Sequence, residues 1–274
     1  MKKIIMIGAG VVAVVGGLLF SRIEGSFQYK ETLKDNVQEV TKIRIDTDVA
    51  DIKVTSEGSE LQVTFKGNKP FFKNPSLKVT NNDGEVEIKG TIGKWLNIIP
   101  GTHSKGEMII NIPPNIVQSV QIHTGVGNIH LEDMTGLDEL TLASNVGRIQ
   151  LDSFKGNRLN INAKNGSIEL GEIDGEVHVK NRIGKIKVVR LLTIKGESTI
   201  ASGNGTIKLT LPSDENGLGY GLNLKTKNGK IKDESMKLPR DSIQKQTTGQ
   251  KLNIRPEETN KLSISVSVGN IEIY

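Results

Sequence analysis

The chain has 274 residues, of which 35% are hydrophobic, 4% are aromatic and 24% are charged. It contains no cysteine, which excludes disulfide bonds, thiolate catalysis and cysteine-based metal sites. A net charge of +5 from 36 basic and 31 acidic residues indicates a mixed, solvated surface, and with so few aromatic side chains it argues against a nucleic-acid-binding protein.

The first element in chain order is a predicted membrane anchor within residues 1–21. Lys2 and Lys3 precede an uncharged run over residues 4–20, and Arg22 follows it. The run is short for a membrane-spanning helix and long for a signal-peptide core, and no clear small-x-small cleavage site follows. The positive-inside rule leaves the lysines in the cytoplasm and the C-terminal domain outside the cell. We expect an uncleaved single-pass anchor; secretion after signal cleavage is the alternative.

Residues 22–40 are predicted to form a polar stalk, and residues 41–274 a repetitive β-domain. The repeat reads apolar-x-apolar-x-small-x-x-Gly-x-apolar-x-apolar, as in TGVGNIHL around Gly127 and SNVGRIQL around Gly147. Ala50 takes the glycine position in the first copy. The glycines that occupy this position are Gly84, Gly127, Gly147, Gly166, Gly184, Gly205, Gly229 and Gly269.

Each copy of the repeat predicts two strands joined at a corner. Alternating apolar residues give each strand one buried face, and glycine at the corner adopts positive φ without steric cost. From Gly127 the next four corners follow after 20, 19, 18 and 21 residues. This regular step suits coils whose equivalent strands pair in parallel. The sequence therefore predicts an all-β, single-stranded β-solenoid of about nine repeat units, with an antiparallel β-sandwich as the alternative.

Longer steps in the repeat predict insertions near both ends, at residues 55–76, 89–116 and 233–260. Solenoids need atypical terminal units to cover their open ends, so large apolar residues in the first two insertions are predicted to pack over the coils. An exposed contact surface for a membrane or partner is the alternative. The residues concerned are Phe71, Phe72, Trp95, Ile98 and Ile99.

A lysine-flanked apolar run followed by repeated VGxIxL and NGxIxL corners resembles the bacterial toastrack-like family of candidate adhesins, a domain family of unknown function. The resemblance covers roughly residues 40–274 and the anchor. It implies an extracytoplasmic β-solenoid. Because that family includes a membrane-anchored protein of a Gram-positive envelope-stress operon, it also implies a scaffolding or sensing role among envelope proteins. The family offers no catalytic residue to transfer to this chain.

No residue pattern predicts a catalytic, cofactor or metal site. GVG at 125–127 and GNG at 203–205 precede strands, not helices, which argues against a phosphate-binding loop. The histidines lack the spacing of a zinc site: His103, His123, His130 and His178. Paired carboxylates would indicate glycan cleavage, but these aspartates share no repeat position: Asp133, Asp138, Asp152 and Asp174. We expect a non-enzymatic protein; a carbohydrate-active β-helix enzyme acting on envelope polysaccharide is the alternative.

Outward positions after the corners carry lysines in the C-terminal copies. If successive copies stack, these lysines form a basic strip that would attract wall polymers or anionic lipid, by an attraction that weakens with salt. The predicted strip comprises Lys185, Lys187, Lys208, Lys230 and Lys232, flanked by Lys180, Arg182, Lys225 and Lys227. The alternative is an ordinary solvated β-face protected by lysines.

Overall fold

The computed structural model describes residues 26–33, 40–68, 74–93, 106–114, 117–212, 219–236, 238–239 and 242–274. These residues form strands and turns without an α-helix, and none of their elements is a helix able to cross a bilayer. The predicted anchor at residues 1–21 lies outside the described residues. So do the five apolar residues of the insertions and one histidine, namely Phe71, Phe72, Trp95, Ile98, Ile99 and His103.

The strands of the N-terminal half are β1 (Ser26–Leu33), β2 (Lys42–Val49), β3 (Asp51–Thr55), β4 (Leu61–Asn68), β5 (Ser76–Asn82), β6 (Glu85–Thr91), β7 (Gly106–Asn111), β8 (Ser119–Val126), β9 (Ile129–Val146) and β10 (Ile149–Asn165). Those of the C-terminal half are β11 (Ile168–Ile183), β12 (Ile186–Leu191), β13 (Glu197–Asn204), β14 (Ile207–Leu209), β15 (Gly221–Asn228), β16 (Ile231–Asp233), β17 (Gln244–Lys245), β18 (Gln250–Ile254), β19 (Lys261–Val268) and β20 (Ile271–Ile273).

Each coil contributes one strand to each of two stacks. The buried faces of the two stacks enclose one apolar core. Stack A contains the strands that precede the corners and further strands at its two ends. Its order is β5, β6, β2, β8, the C-terminal halves of β9, β10 and β11, then β13, β19, β15, β18 and β17. Stack B contains the strands that follow the corners and further strands at its N-terminal end. Its order is β1, β4, β7, β3, the N-terminal halves of β9, β10 and β11, then β12, β14, β20 and β16.

Parallel pairing in register aligns equivalent residues of neighbouring coils. Ile149 of β10 pairs with Ile129 of β9 and with Ile168 of β11, and all three side chains are buried. The alternation of buried and outward residues read from the sequence recurs along β9, whose burial alternates over residues 139–145. The all-β solenoid is therefore the observed architecture, and the central coils do not form an antiparallel sandwich.

The corner glycines form a continuous ladder along the solenoid. A Cβ atom built at Gly166 would lie 1.8 Å from the carbonyl oxygen of Gly147, and one at Gly147 would lie 1.9 Å from that of Gly127. Gly166 also has φ of +150°, which L-residues with side chains rarely adopt. Glycine is thus required at the corner both for conformation and for contact between coils. Ala50 begins the ladder, and its φ is not positive.

At some corners, the polar inward residue before the corner supports the neighbouring corner by hydrogen bonding. Thr124 Oγ1 donates to the carbonyl of Ala50 over 3.1 Å, and Asn181 Nδ2 donates to that of Gly166 over 2.9 Å. A buried carbonyl left without a donor would cost about 1–3 kcal/mol. Polar side chains in an otherwise apolar core therefore serve the corner as well as fitting the limited space.

The predicted corner at Gly84 is wrong. Strands β5 and β6 pair antiparallel, with Asn82 opposite Glu85. Asp83 has φ of 49° and Gly84 has φ of 85°, so the two residues form a tight hairpin with positive φ at both central positions. The chain reverses within stack A here and does not cross to stack B. Asp-Gly is a typical hairpin sequence, which explains why it imitates the corner pattern.

The polar stalk predicted for residues 22–40 is also wrong over its described part. Residues 26–33 form β1, which pairs antiparallel with β4 at the edge of stack B. Phe27 and Leu33 are buried, and the ring centroid of Phe27 lies 5.1 Å from that of Phe65. Burial of these apolar side chains adds the segment to the β-domain.

The described parts of the predicted insertions extend the two stacks. Strand β4 lies in the first insertion, β7 in the second, and β17 and β18 in the third. Three of these pairings are antiparallel, namely β4 with β7, β17 with β18 and β15 with β18. The change from parallel to antiparallel pairing therefore marks both ends of the solenoid.

The C-terminal coil does not lie at the end of the solenoid. Strand β19 pairs in parallel with β13 on one side and with β15 on the other, and β20 likewise lies between β14 and β16. The corner of Gly269 accordingly contacts Gly205, and that of Gly229 contacts Gly269. Coils that are consecutive in sequence are thus separated in space in the C-terminal part.

Candidate functional site

The histidines and aspartates singled out in the sequence lie in separate surface pairs. His123 Nδ1 lies 3.1 Å from Asp46 Oδ1, and His130 Nε2 lies 3.1 Å from Asp152 Oδ2. His178 Nε2 lies 2.9 Å from a carboxylate oxygen of Glu176. Within the described ranges, no group of three or more histidine and acidic side chains is placed to hold a metal ion.

Two of these aspartates, Asp152 and Asp174, have surroundings that lower their pKa and favour the ionised form. The hydrogen bond from Lys195, reinforced by one from Thr193, lowers the pKa of Asp174. Burial by itself raises the pKa of Asp152, but hydrogen bonds from Gln150 and His130 lower that pKa overall. A glycosidase needs one carboxylic acid with a raised pKa as proton donor, and neither aspartate has one.

Three of the five lysines of the predicted strip lie on the outer face of stack B, and Lys185 and Lys230 lie in the corner turns just before β12 and β16. The five do not form a continuous strip. Lys187 Nζ lies 2.8 Å from Glu169 Oε1. Lys208 and Lys232 both pair with the carboxylate of Glu272, the latter over 3.4 Å. Because β20 lies between β14 and β16, it inserts this acidic side chain between the two lysines. The predicted stacking holds between Lys187 and Lys208, which are partners across β12 and β14. It is wrong between Lys208 and Lys232, since it assumed that successive copies are neighbours.

Lys185 and Lys230 are exposed and make no ion pair within the part of the chain that the structure describes. The residues expected to flank the strip lie elsewhere. Lys180, Arg182, Lys225 and Lys227 belong to β11 and β15 of stack A, before the corners and not after them. Contact of the five lysines with anionic polymers stays a prediction.

The contribution of the ion pairs of Glu272 with Lys208 and Lys232 to stability can be tested. The hydrogen bond from Lys208 lowers the pKa of Glu272 against the opposing effect of burial. A lowered folded-state pKa stabilises the fold above pH about 4.5, and this contribution is lost as the pH falls through the folded-state value. We expect Glu272→Gln to lower the free energy of unfolding by about 1–2 kcal/mol at neutral pH, and the difference to shrink as the pH falls to about 2.

Denaturant unfolding at the two pH values measures this difference. Glu197→Gln is the matched control, because Glu197 also bonds a lysine, Lys261, but its side chain is 71% exposed. An exposed pair contributes about 0–1 kcal/mol, so the control should change little. A Glu272→Gln variant that matches wild type at neutral pH would show that the Glu272 pair contributes no stability.

The outer face of stack A carries a second group of cations around a shallow trough. One wall consists of Lys164, Lys180 and Arg182, and the other consists of Lys225, Lys227 and Lys251. The floor between them comes from the parts of β13 and β19 nearest the corners, where the outward residues are small, namely Ala201, Gly203, Ser265 and Ser267. We call this arrangement the basic trough.

Sequence reasoning did not find the basic trough as a site. Its first wall and floor line a depression of about 650 Å³. A second depression of about 360 Å³ continues from Lys180 and Ala201 over Thr141, Asn160 and Thr199. The alternation along each strand shows that these cations point outward. Only the spatial order of the coils places the two walls on either side of one floor.

Two stacks of parallel strands joined at glycine corners define the chain as a β-solenoid, and its sequence places it in a defined family. The chain belongs to the Toastrack DUF4097 family, whose model matches residues 40–170 and residues 117–274. The resemblance expected from the repeated corners is therefore confirmed.

Several solved structures are similar to the chain at low sequence identity. A candidate cell adhesion protein from Clostridium sporogenes is 16% identical with a TM-score of 0.44, over 90% of this chain and 98% of that chain. A candidate adhesin from Bacteroides fragilis is 13% identical with a TM-score of 0.42, over 90% and 97%. A candidate lipid-binding protein from Parabacteroides distasonis is 12% identical with a TM-score of 0.33, over 90% and 96%. No curated protein matches the chain significantly.

Proposed function

We propose that the protein is a non-enzymatic, single-pass membrane protein whose β-solenoid lies outside the cell and acts as a scaffold or adhesin-like surface in the cell envelope. The lysine-flanked apolar run at residues 4–20 supports the anchor. The proposed partners are envelope proteins, wall polymers or anionic lipid, and the proposed setting is the response to envelope stress.

The basic trough is the observation that carries this proposal. Charged side chains elsewhere on stack A are commonly neutralised by a neighbour, as Lys42 is by Glu85 and Arg158 is by Glu176. The trough retains exposed cations on both walls, and such a surface attracts anionic material. The aspartates considered for catalysis are instead dispersed in hydrogen-bonded pairs, which favours a binding surface over glycan cleavage.

The membrane topology can be tested directly in cells. Protease added to intact, wall-stripped cells should remove the β-domain and leave the N-terminal run in the membrane, because Lys2 and Lys3 retain the N-terminus in the cytoplasm. Immunoblotting of membrane and medium fractions measures this. A Lys2→Glu, Lys3→Glu variant is the control and should lose orientation preference. Full protection of the wild-type domain, or its release into the medium, would contradict the proposal.

A further inference from the structure

We propose that the basic trough binds a single extended polyanion of the phosphodiester type, laid between its two cationic walls. This inference deepens the proposed function by naming the ligand class and the surface. It does not depend on the membrane anchor.

The walls hold like charges side by side. Lys225 pairs directly with Lys251 across β15 and β18, and the register of β10 with β11 places Lys164 beside Arg182. Like charges in cross-strand positions destabilise a sheet. By contrast, Lys261 on the floor strand β19 faces Glu197 and pairs with it over 2.6 Å. Repulsion that is left uncompensated on both walls is what an anionic ligand would relieve.

The cations are free to meet a ligand. Lys164, Lys180, Lys225 and Lys227 are exposed, and no ion pair engages them within the part of the chain described. Arg182 is exposed as well and donates one hydrogen bond to the side-chain oxygen of Asn165, over 3.1 Å, which leaves the rest of its guanidinium available. The cost of removing these groups from an existing partner is therefore small.

The dimensions of the trough fit one polymer chain. Strands β11 and β15 are separated by β13 and β19, so the walls stand about 14 Å apart at the usual interstrand spacing. Within a wall, Lys180 and Arg182, like Lys225 and Lys227, are two residues apart, or about 6.6 Å along the strand. The seryl hydroxyls of Ser265 and Ser267 on the floor can donate to phosphate oxygens.

The recessed floor favours a polymer over a flat membrane. Ala201 and Gly203 line the depression beside the first wall, and they are much shorter than the outward lysines of β15 on the other side. A thread of anionic groups reaches both walls and the floor at once, whereas a planar bilayer meets only the ends of the wall side chains. Several phosphates on one chain then bind together and gain from their linkage.

The test measures binding of purified poly(glycerol phosphate) teichoic acid to the full-length protein in an uncharged detergent, at low salt and over a salt series. The trough variant is Lys180→Gln, Arg182→Gln, Lys225→Gln and Lys227→Gln. The matched control removes the same charge from stack B and the corner turns before it, as Lys185→Gln, Lys187→Gln, Lys230→Gln and Lys232→Gln. Thermal unfolding of each variant shows whether it retains the fold.

We expect the trough variant to bind the polymer more weakly by on the order of 100-fold at low salt. The slope of log affinity against log salt should fall by about 3, since each phosphate contact on a single-stranded polyanion contributes roughly 0.7. The stack B control should retain most of its affinity, and monomeric glycerol phosphate should compete poorly because it reaches one contact at a time.

An equal loss of affinity for the polymer in both quadruple variants would overturn the proposal, because net charge alone would then explain the binding. Loss in the stack B control alone would do the same. Displacement of the polymer by phosphatidylglycerol micelles, at lipid concentrations where phosphatidylcholine micelles have no effect, would assign the trough to a membrane surface and overturn the polymer. None of these outcomes alters the topology result, so the two proposals fail independently.

Discussion

Replacing Gly166 by alanine is expected to destabilise the solenoid by about 3–5 kcal/mol. The added Cβ would lie 1.8 Å from the carbonyl oxygen of Gly147, so the backbone of two adjacent coils would have to move apart. The same residue would also have to hold φ of +150°, which is strained for alanine. The two costs act together, and the carbonyl concerned cannot rotate away as a flexible side chain would.

Gly58→Ala measures the cost of a positive φ without a backbone contact, at a φ that alanine adopts more readily than +150°. Gly58 also has positive φ, at +67°, but the nearest atom to its Cβ would be Asn111 Nδ2 at 3.7 Å, an ordinary contact. This control should lose only about 1 kcal/mol, from conformational strain. Denaturant unfolding of both variants measures the difference. Similar losses would mean that contact between corners contributes nothing and that backbone strain alone selects glycine.

Removing residues 261–274 is expected to unfold the C-terminal part of the solenoid and not merely to shorten it. The deletion takes away β19 and β20, which separate the coil of β13 and β14 from that of β15 and β16. Loss of the buried side chains costs about 10 kcal/mol at the usual value per residue, and they are Leu262, Ile264, Val266, Ile271 and Ile273. This is comparable to the whole stability of a typical domain.

Hydrogen exchange measures the extent of the unfolding. Amides of β15 and β18 should lose protection in the truncated protein, while those of the central strands β9 and β10 keep it. Removal of Tyr274 alone is the control, because it shortens the same end of the chain but leaves β19 and β20 in place. Retained protection in β15 would show that β15 can pair with β13 without the intervening coil.

The repeat was predictable because its causes are local. Glycine at a fixed position between two alternating segments predicts a sharp corner. This prediction is correct at Gly147 and Gly166. At Gly84 the same local pattern belongs to a hairpin, since a tight turn makes the same demand for positive φ as a corner does. Local chemistry therefore identified bends but did not distinguish their two kinds.

The order of the coils was not predictable, because no local feature of β19 indicates which strands it pairs with. Its outward serines, Ser265 and Ser267, suit several positions in stack A equally well. The predicted lysine strip is interrupted for this reason, because β20 places Glu272 beside Lys208 from a distant part of the chain. The basic trough was not predicted for the same reason, because β19 is inserted between the strands that carry its two walls.

The position of β19 also imposes an order on folding. Strands β15 and β16 precede β19 and β20 in the chain, yet in stack A and stack B their parallel neighbours are β19 and β20 themselves. We therefore expect β15 and β16 to have one unpaired edge during synthesis, until β19 and β20 pair between them and the coils already formed. Unpaired strand edges are where chains associate wrongly. The antiparallel strand β18 is made before β19 and covers the far edge of β15, so it shields one side of that waiting coil during the interval.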